Sequence, residues 1–173
     1  MYKSILLSLF LCSIMLGKVD ANTNIVFLDM QKVLTTSKPG AYFFKQLKII
    51  NNSNIESFKK DENKLIERKK KIEAKKNIIS NEIFNQELNK LKSDVEIYNK
   101  KKNVLKDNFN KTRTSNLNKF IEKINATLLR YSDENSIDLI LLKKNIIIGR
   151  SNIDITDKII EIVNKEIKNF NIK

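Results

Sequence analysis

The 173-residue sequence has no histidine and no tryptophan, one cysteine, one proline and three glycines. Without histidine, the commonest general base and metal ligand is missing. Four Gly and Pro residues together are too few for a turn-rich sandwich or barrel built by one chain. There is no glycine-rich phosphate loop, and the acidic residues are scattered along helix-like segments with no convergent pair. These absences speak against an enzyme, against ATP use, and against a cofactor or metal. What is abundant is charge: 31 % of residues are Asp, Glu, Lys or Arg, and the heavy use of Lys, Glu, Leu and Ile leans toward long helices. The net charge is +13. Counts of 29 Lys, 26 Ile and 23 Asn are also what an A/T-rich genome would impose, so part of that charge is background.

Met1-Tyr2-Lys3 gives a short positive start, Ile5 to Leu16 is a 12-residue mostly apolar run, and Val19-Asp20-Ala21 ends on small-residue spacing. That is the layout of a secretory signal peptide over residues 1–21. At about 1.5 Å per residue the run spans only ~18 Å of helix, short of the ~30 Å bilayer core. Cleavage after Ala21 removes Cys12, leaving an exported protein of net charge +12 with no thiol, so neither disulfides nor thiolate chemistry contribute.

Asn24 to Met30 is a β-branched and aromatic run that predicts a strand, and Gln31 to Thr36 a short helix stopped by the Pro39-Gly40 breaker. Ala41 to Asn135 then runs 95 residues without Gly or Pro, which predicts helix. Asn77 to Asn81 is the best turn site, with Ser80 placed to cap a new start. Ile137 to Leu142 and Ile146 to Gly149 read as two strands of a hairpin across Lys143-Lys144-Asn145. Ile155 to Phe170 closes the chain as an amphipathic helix with Thr156 as N-cap. The expected fold class is α+β, mostly α. An antiparallel, coiled-coil-like helical hairpin over 41–135, with its tip near 77–81, stands on a β body made of 22–40 and 136–173.

The seam of the expected hairpin is uneven. Helix A offers Phe44, Asn51, Phe58, Leu65 and Ile72 at one heptad position but Asn54, Asp61 and Arg68 after Leu47 at the other. Helix B offers Leu88, Leu91, Val95, Tyr98, Leu105 and Phe109, interrupted by Lys102 and Thr112, then Leu117, Phe120, Ile124 and Leu128. An ideal two-stranded coil keeps both positions apolar, so weak association and easy splaying are expected. The small body has open strand edges and too little apolar area to be self-sufficient. Ile25, Phe27, Ile140, Leu142, Ile146 and Ile148 are therefore expected to form an oligomerisation core at a subunit contact.

The ordered set of an export signal, Asn24 to Leu34, Lys75 to Lys101 and Ile137 to Lys165, the last carrying an Asp154-Ile155-Thr156-Asp157 lead-in to the final helix, resembles the Skp/OmpH family of periplasmic chaperones over essentially the whole mature chain. The resemblance implies a homotrimer in which three helical hairpins project from one barrel-like body. It implies an ATP-independent holdase that shelters unfolded outer-membrane proteins between those arms in the periplasm. Such a trimer carries about +36, enough to draw anionic clients by attraction that salt weakens.

Between Lys59 and Lys119 there are 18 Lys and Arg against 9 Asp and Glu, so most of the excess charge lies on the arms. The candidate client-binding residues are Arg68, Lys69, Lys70, Lys71, Lys75, Lys76, Lys100, Lys101 and Lys102, with Ile78, Ile79, Ile83 and Phe84 at the tip. Tyr42, Phe43 and Phe44 are expected where the arm leaves the body. Anionic lipid or lipopolysaccharide stays open as a further partner. A nucleic-acid partner conflicts with the export signal and with only four arginines. The alternative is an exported structural or adaptor coiled coil of the cell envelope, whose mark would be a strictly apolar seam.

Overall fold

A computed structural model of the chain describes residues 23–168 and 170–172. The signal peptide expected over 1–21, with Cys12, lies outside the described residues. Strand β1 (Ile25–Leu28) leads into α1 (Met30–Thr36), whose first turn is capped by the Asp29 carboxylate accepting from the Lys32 N–H at 2.9 Å. Two long helices follow, α2 (Lys38–Ala74) and α3 (Asn81–Glu134), of 37 and 54 residues. Strand β2 (Leu139–Leu142), two 3-10 turns (Lys143–Asn145 and Ser151–Ile153) and α4 (Thr156–Glu166) complete the chain. The described chain is mostly helical, with one two-stranded sheet.

Three local expectations are corrected. Pro39-Gly40 starts a helix instead of stopping one: Ser37 is the N-cap of α2, and its hydroxyl accepts from the Gly40 N–H at 3.3 Å. Proline sits in the first helical turn, where its missing N–H would have had no partner anyway, so the arm begins at Lys38 rather than Ala41. Second, Ile146 to Gly149 forms no strand and there is no hairpin; Ile147 and Ile148 stand 98 % and 91 % exposed. β2 pairs instead with β1, in parallel, Ile25 beside Leu139 and Leu28 beside Leu142. The reason is helix length. α3 outruns α2 by 17 residues (54 against 37), about 25 Å, which carries the chain past the root of α2 to the foot of β1. There Asn24 fastens it: its N–H donates to the Asp138 carboxylate at 2.7 Å, and its side-chain amide to the Asn135 and Ser136 carbonyls.

Third, α4 ends at Glu166, and Thr156 is its first residue rather than its N-cap. The threonine hydroxyl is taken by one tertiary and one local partner: it accepts from the Asp29 N–H at 2.9 Å and donates to the Asp154 carboxylate two residues before it. Asp154 bridges to Phe27, and the Ile155 N–H donates to the Phe27 carbonyl at 3.0 Å, so both edges of β1 are occupied.

The core lies where β1, α1, α4 and the roots of the long helices meet. Val26, Leu28, Val33, Phe43, Leu47, Phe120, Ile124, Ile155, Ile159, Val163 and Phe170 form one buried cluster. Phe170 plugs it from the C-terminal side, with its ring 5.1 Å from Phe120 and 5.8 Å from Phe43. Gln46 holds the tail there: its amide donates to the Phe170 carbonyl at 2.9 Å, and its carbonyl accepts from the Ile172 N–H. Phe43 is fully buried, Phe44 is half-buried against the cluster, and Tyr42 is 39 % exposed.

Candidate functional site

Beyond this core α2 and α3 run side by side as a projecting arm. The tip turn follows Ala74, and Ser80 caps α3, its hydroxyl accepting from the Ile83 N–H at 3.4 Å. Of the tip candidates, Ile78 is 80 % and Ile83 51 % exposed, whereas Ile79 and Phe84 are half-buried. A hairpin end has no third element to cover its apolar side chains, so two isoleucines remain in water.

The basic candidates divide into two kinds. Lys70, Lys71, Lys75, Lys76 and Lys100 are exposed and make no ion pair among the described residues; Lys69 lies 3.8 Å from Glu73 one turn on. Lys102 reaches over the Tyr98 ring, 5.9 Å from its centre. Arg68 and Lys101 are engaged across the arm instead. Arg68 pairs with Asp94 and lies 3.7 Å from Glu87, both on α3. Lys101 on α3 donates to Asp61 on α2 at 2.7 Å, and that hydrogen bond holds the Asp61 carboxyl below its ordinary value. The two lysine runs therefore sit at different heights, because Lys101 faces Asp61, two turns nearer the body than Arg68.

The residues expected as an oligomerisation core separate similarly. Phe27 is buried within the chain, Ile140 and Ile146 are half-buried, and Ile25 and Leu142 are each 38 % exposed; Ile148 is almost fully exposed. The outer edge of β2 carries exposed Leu139 and Leu141 as well. No group of acidic residues or cysteine suited to a metal ion occurs among the described residues, and no described helix is long and apolar enough to cross a membrane.

The family model for outer membrane protein (OmpH-like) matches residues 24–163. The chain belongs to the OmpH-like family. Its fold is similar to that of a protein from Caulobacter crescentus CB15, provisionally described as an outer membrane chaperone (OmpH-like), with a TM-score of 0.79 and 17 % identity over 86 % of this chain and 88 % of that one. A search of the curated proteins found no match.

In this OmpH-like chain the groups that sequence reasoning missed are the acidic partners on the arm, Asp61, Glu87 and Asp94. The signal was present. Asp61 and Arg68 occupy successive seam positions, and a charge facing a partner helix calls for an opposite charge there. The tail residue Phe170 was equally legible as apolar, but not that it leaves the helix to reach the arm root. At that root the Arg130 guanidinium pairs with Glu166 of α4, raising the arginine and holding the Glu166 carboxyl down, with Thr127 donating to the same carboxylate at 3.1 Å.

Proposed function

We propose that this OmpH-like protein is an ATP-independent periplasmic holdase, exported by a signal peptide over residues 1–21 that is cleaved off. It assembles as a homotrimer and shelters unfolded outer-membrane proteins between three basic arms. The observation that carries the reading is the arm itself: a projecting pair of helices with 18 cationic against 9 anionic residues between Lys59 and Lys119, and apolar side chains left in water at its end. Many shallow contacts add up through tethering, while each stays weak enough to release. Attraction between a cationic cavity and an anionic client acts at long range and fades with salt.

Family membership supports the reading, as does the chaperone description of the Caulobacter protein of the same fold. The exposed edge of β2, with Leu139, Leu141 and Leu142, favours closure by other copies, since an open apolar edge invites pairing. An envelope adaptor would be better served by a continuous apolar seam than by one interrupted at Asn54, Asp61 and Arg68.

The test is to dilute an unfolded outer-membrane β-barrel protein from denaturant into low-salt buffer with the purified protein and no nucleotide. Light scattering should stay low at about one trimer per client. Equal aggregation with and without the protein removes the holdase reading. Reversing Lys69, Lys70 and Lys71 to Glu should slow client capture while leaving the native mass unchanged. An unaltered capture rate at low salt removes that run from the binding surface.

A further inference from the structure

The middle of the arm is held together differently from its two ends. At the root, Phe43 and Leu47 of α2 bury themselves with Phe120 and Ile124 of α3; near the tip, Ile72 and Leu91 are buried. Between Leu47 and Ile72 no side chain of α2 is buried, and none of α3 between Leu91 and Asn116. Two openings of about 360 and 150 Å³ lie between the helices in that stretch, the first lined by Asp61, Leu65, Arg68, Asp94, Tyr98 and Lys101 among others. Both are open to solvent, so the helices meet there along a cleft and not across a packed interior. The Tyr98 hydroxyl is buried and finds no hydrogen-bond partner among the described residues, a cost that closing the seam incurs rather than recovers.

What bridges the helices there is chiefly charge. Arg68 reaches from α2 to Asp94 and Glu87, and Lys101 reaches from α3 to Asp61; Phe58 and Tyr98 add one edge-on ring contact at 6.4 Å. Two of the three acidic groups also have a second cation on their own helix. Lys64 lies 4.0 Å from Asp61, and Lys90 lies 3.7 Å from Glu87. Asp61 and Glu87 are therefore not stranded when the cross-arm pairs part.

We propose that this mid-section is an ionic latch: Arg68 and Lys101 hold the arm shut, and an anionic polypeptide opens it by taking those two cations, uncovering the half-buried Phe58, Leu65 and Tyr98. Opening exchanges one set of carboxylates for another and leaves only Asp94, already 39 % exposed, to water, so it costs little net ion pairing while it presents fresh apolar surface to the bound chain. The role given to the anionic chain rests on the client-holding reading, but the latch itself needs no client.

The test places spin labels on cysteines at exposed Asn63 and Asn99 beside the latch, and at exposed Lys45 and Asn118 at the root, in the full chain carrying Cys12→Ser. Double electron–electron resonance then reads both distances. Raising salt from about 20 mM to about 1 M shortens the screening length from roughly 20 Å to 3 Å, and the mid-arm distance should lengthen while the root distance holds. The expected shift is about 5 Å, over half the 8–10 Å that separates packed helix axes. Arg68→Met should widen the arm already at low salt, with helical content retained and only the smaller salt response that the Lys101–Asp61 pair carries. A polyglutamate peptide should widen the unsubstituted arm at low salt, and a polyglutamine peptide of equal length should not. A mid-arm distance indifferent to salt, to Arg68→Met or to polyglutamate overturns the proposal. Should the arm respond while the protein fails to keep clients soluble, the holdase reading falls and the latch stands.

Discussion

Gly40→Ala sets two physical arguments against each other. Gly40 is the third residue of α2, and its backbone is not in the left-handed region, so helix propensity alone predicts that alanine there stabilises by about 0.5–1 kcal/mol. The structure predicts the opposite. A Cβ at Gly40 would lie 1.9 Å from the Leu34 carbonyl oxygen, 2.8 Å from its carbon and 2.9 Å from the Ser37 hydroxyl. The first two are backbone atoms in the last turn of α1, so relief requires α1 and α2 to move apart by more than an ångström at the corner that buries Val33 and Phe43. Overpacking of this kind costs about 1–3 kcal/mol, and a backbone obstacle places it at the upper end. The net expectation is a loss of about 2 kcal/mol, which for a chain of this size lowers Tm by about 4–8 °C. Thermal unfolding followed by circular dichroism at fixed protein concentration measures it, because mass action would otherwise move Tm in any oligomer. Asn52→Ala, exposed on the same helix, is the control and should leave Tm unchanged or raise it slightly. A Gly40→Ala protein with equal or higher Tm would refute the close approach of α1 and α2.

Phe170→Ala removes the ring lodged against Phe43 and Phe120, and should cost up to about 3 kcal/mol, less if the tail peels away alone; amide exchange of the Phe43 and Leu47 region should rise first. Ser136 holds φ of +50° just after α3, so Ser136→Gly should raise stability by about 1 kcal/mol in denaturant unfolding, and a loss would contradict the left-handed turn. The carboxyls of Asp61, Asp154 and Glu166 are all depressed in the folded protein. For Asp154, burial works against the shift, but hydrogen bonds from Lys143 and Thr156 outweigh it. The stability these groups contribute is present at neutral pH and is lost as pH falls past the ordinary Glu and Asp values of 4.5 and 3.8 toward the lower folded ones. Tm should therefore be flat above those values and drop below them, and Glu166→Gln should lessen the drop.

Segments whose local chemistry and long-range demands agree could be read from the amino acids. The β-branched run of β1, the stretch free of Gly and Pro from Ala41 onward that makes most of α2 and all of α3, and the serine that caps α3 all needed only period, propensity and capping. Where one local pattern fits two outcomes, the sequence pointed the wrong way. Pro39-Gly40 ends one helix or opens another, and the difference lies in Ser37, whose hydroxyl turns to the Gly40 N–H. Ile146 to Ile148 is as good a strand former as Leu139 to Leu142, but a strand forms only against a partner, and the reach of α3 laid the second run beside β1.

The arm shows the same division within its seam. Sequence alone established that Asp61 and Arg68 interrupt the apolar repeat on a strongly basic hairpin, since spacing and charge are properties of the chain. That those interruptions meet Lys101 and Asp94, and that Phe170 turns back to seal the arm root, were decided by tertiary structure. Pairings between residues tens of positions apart depend on the offset of two helices and the course of a tail, which no local pattern encodes.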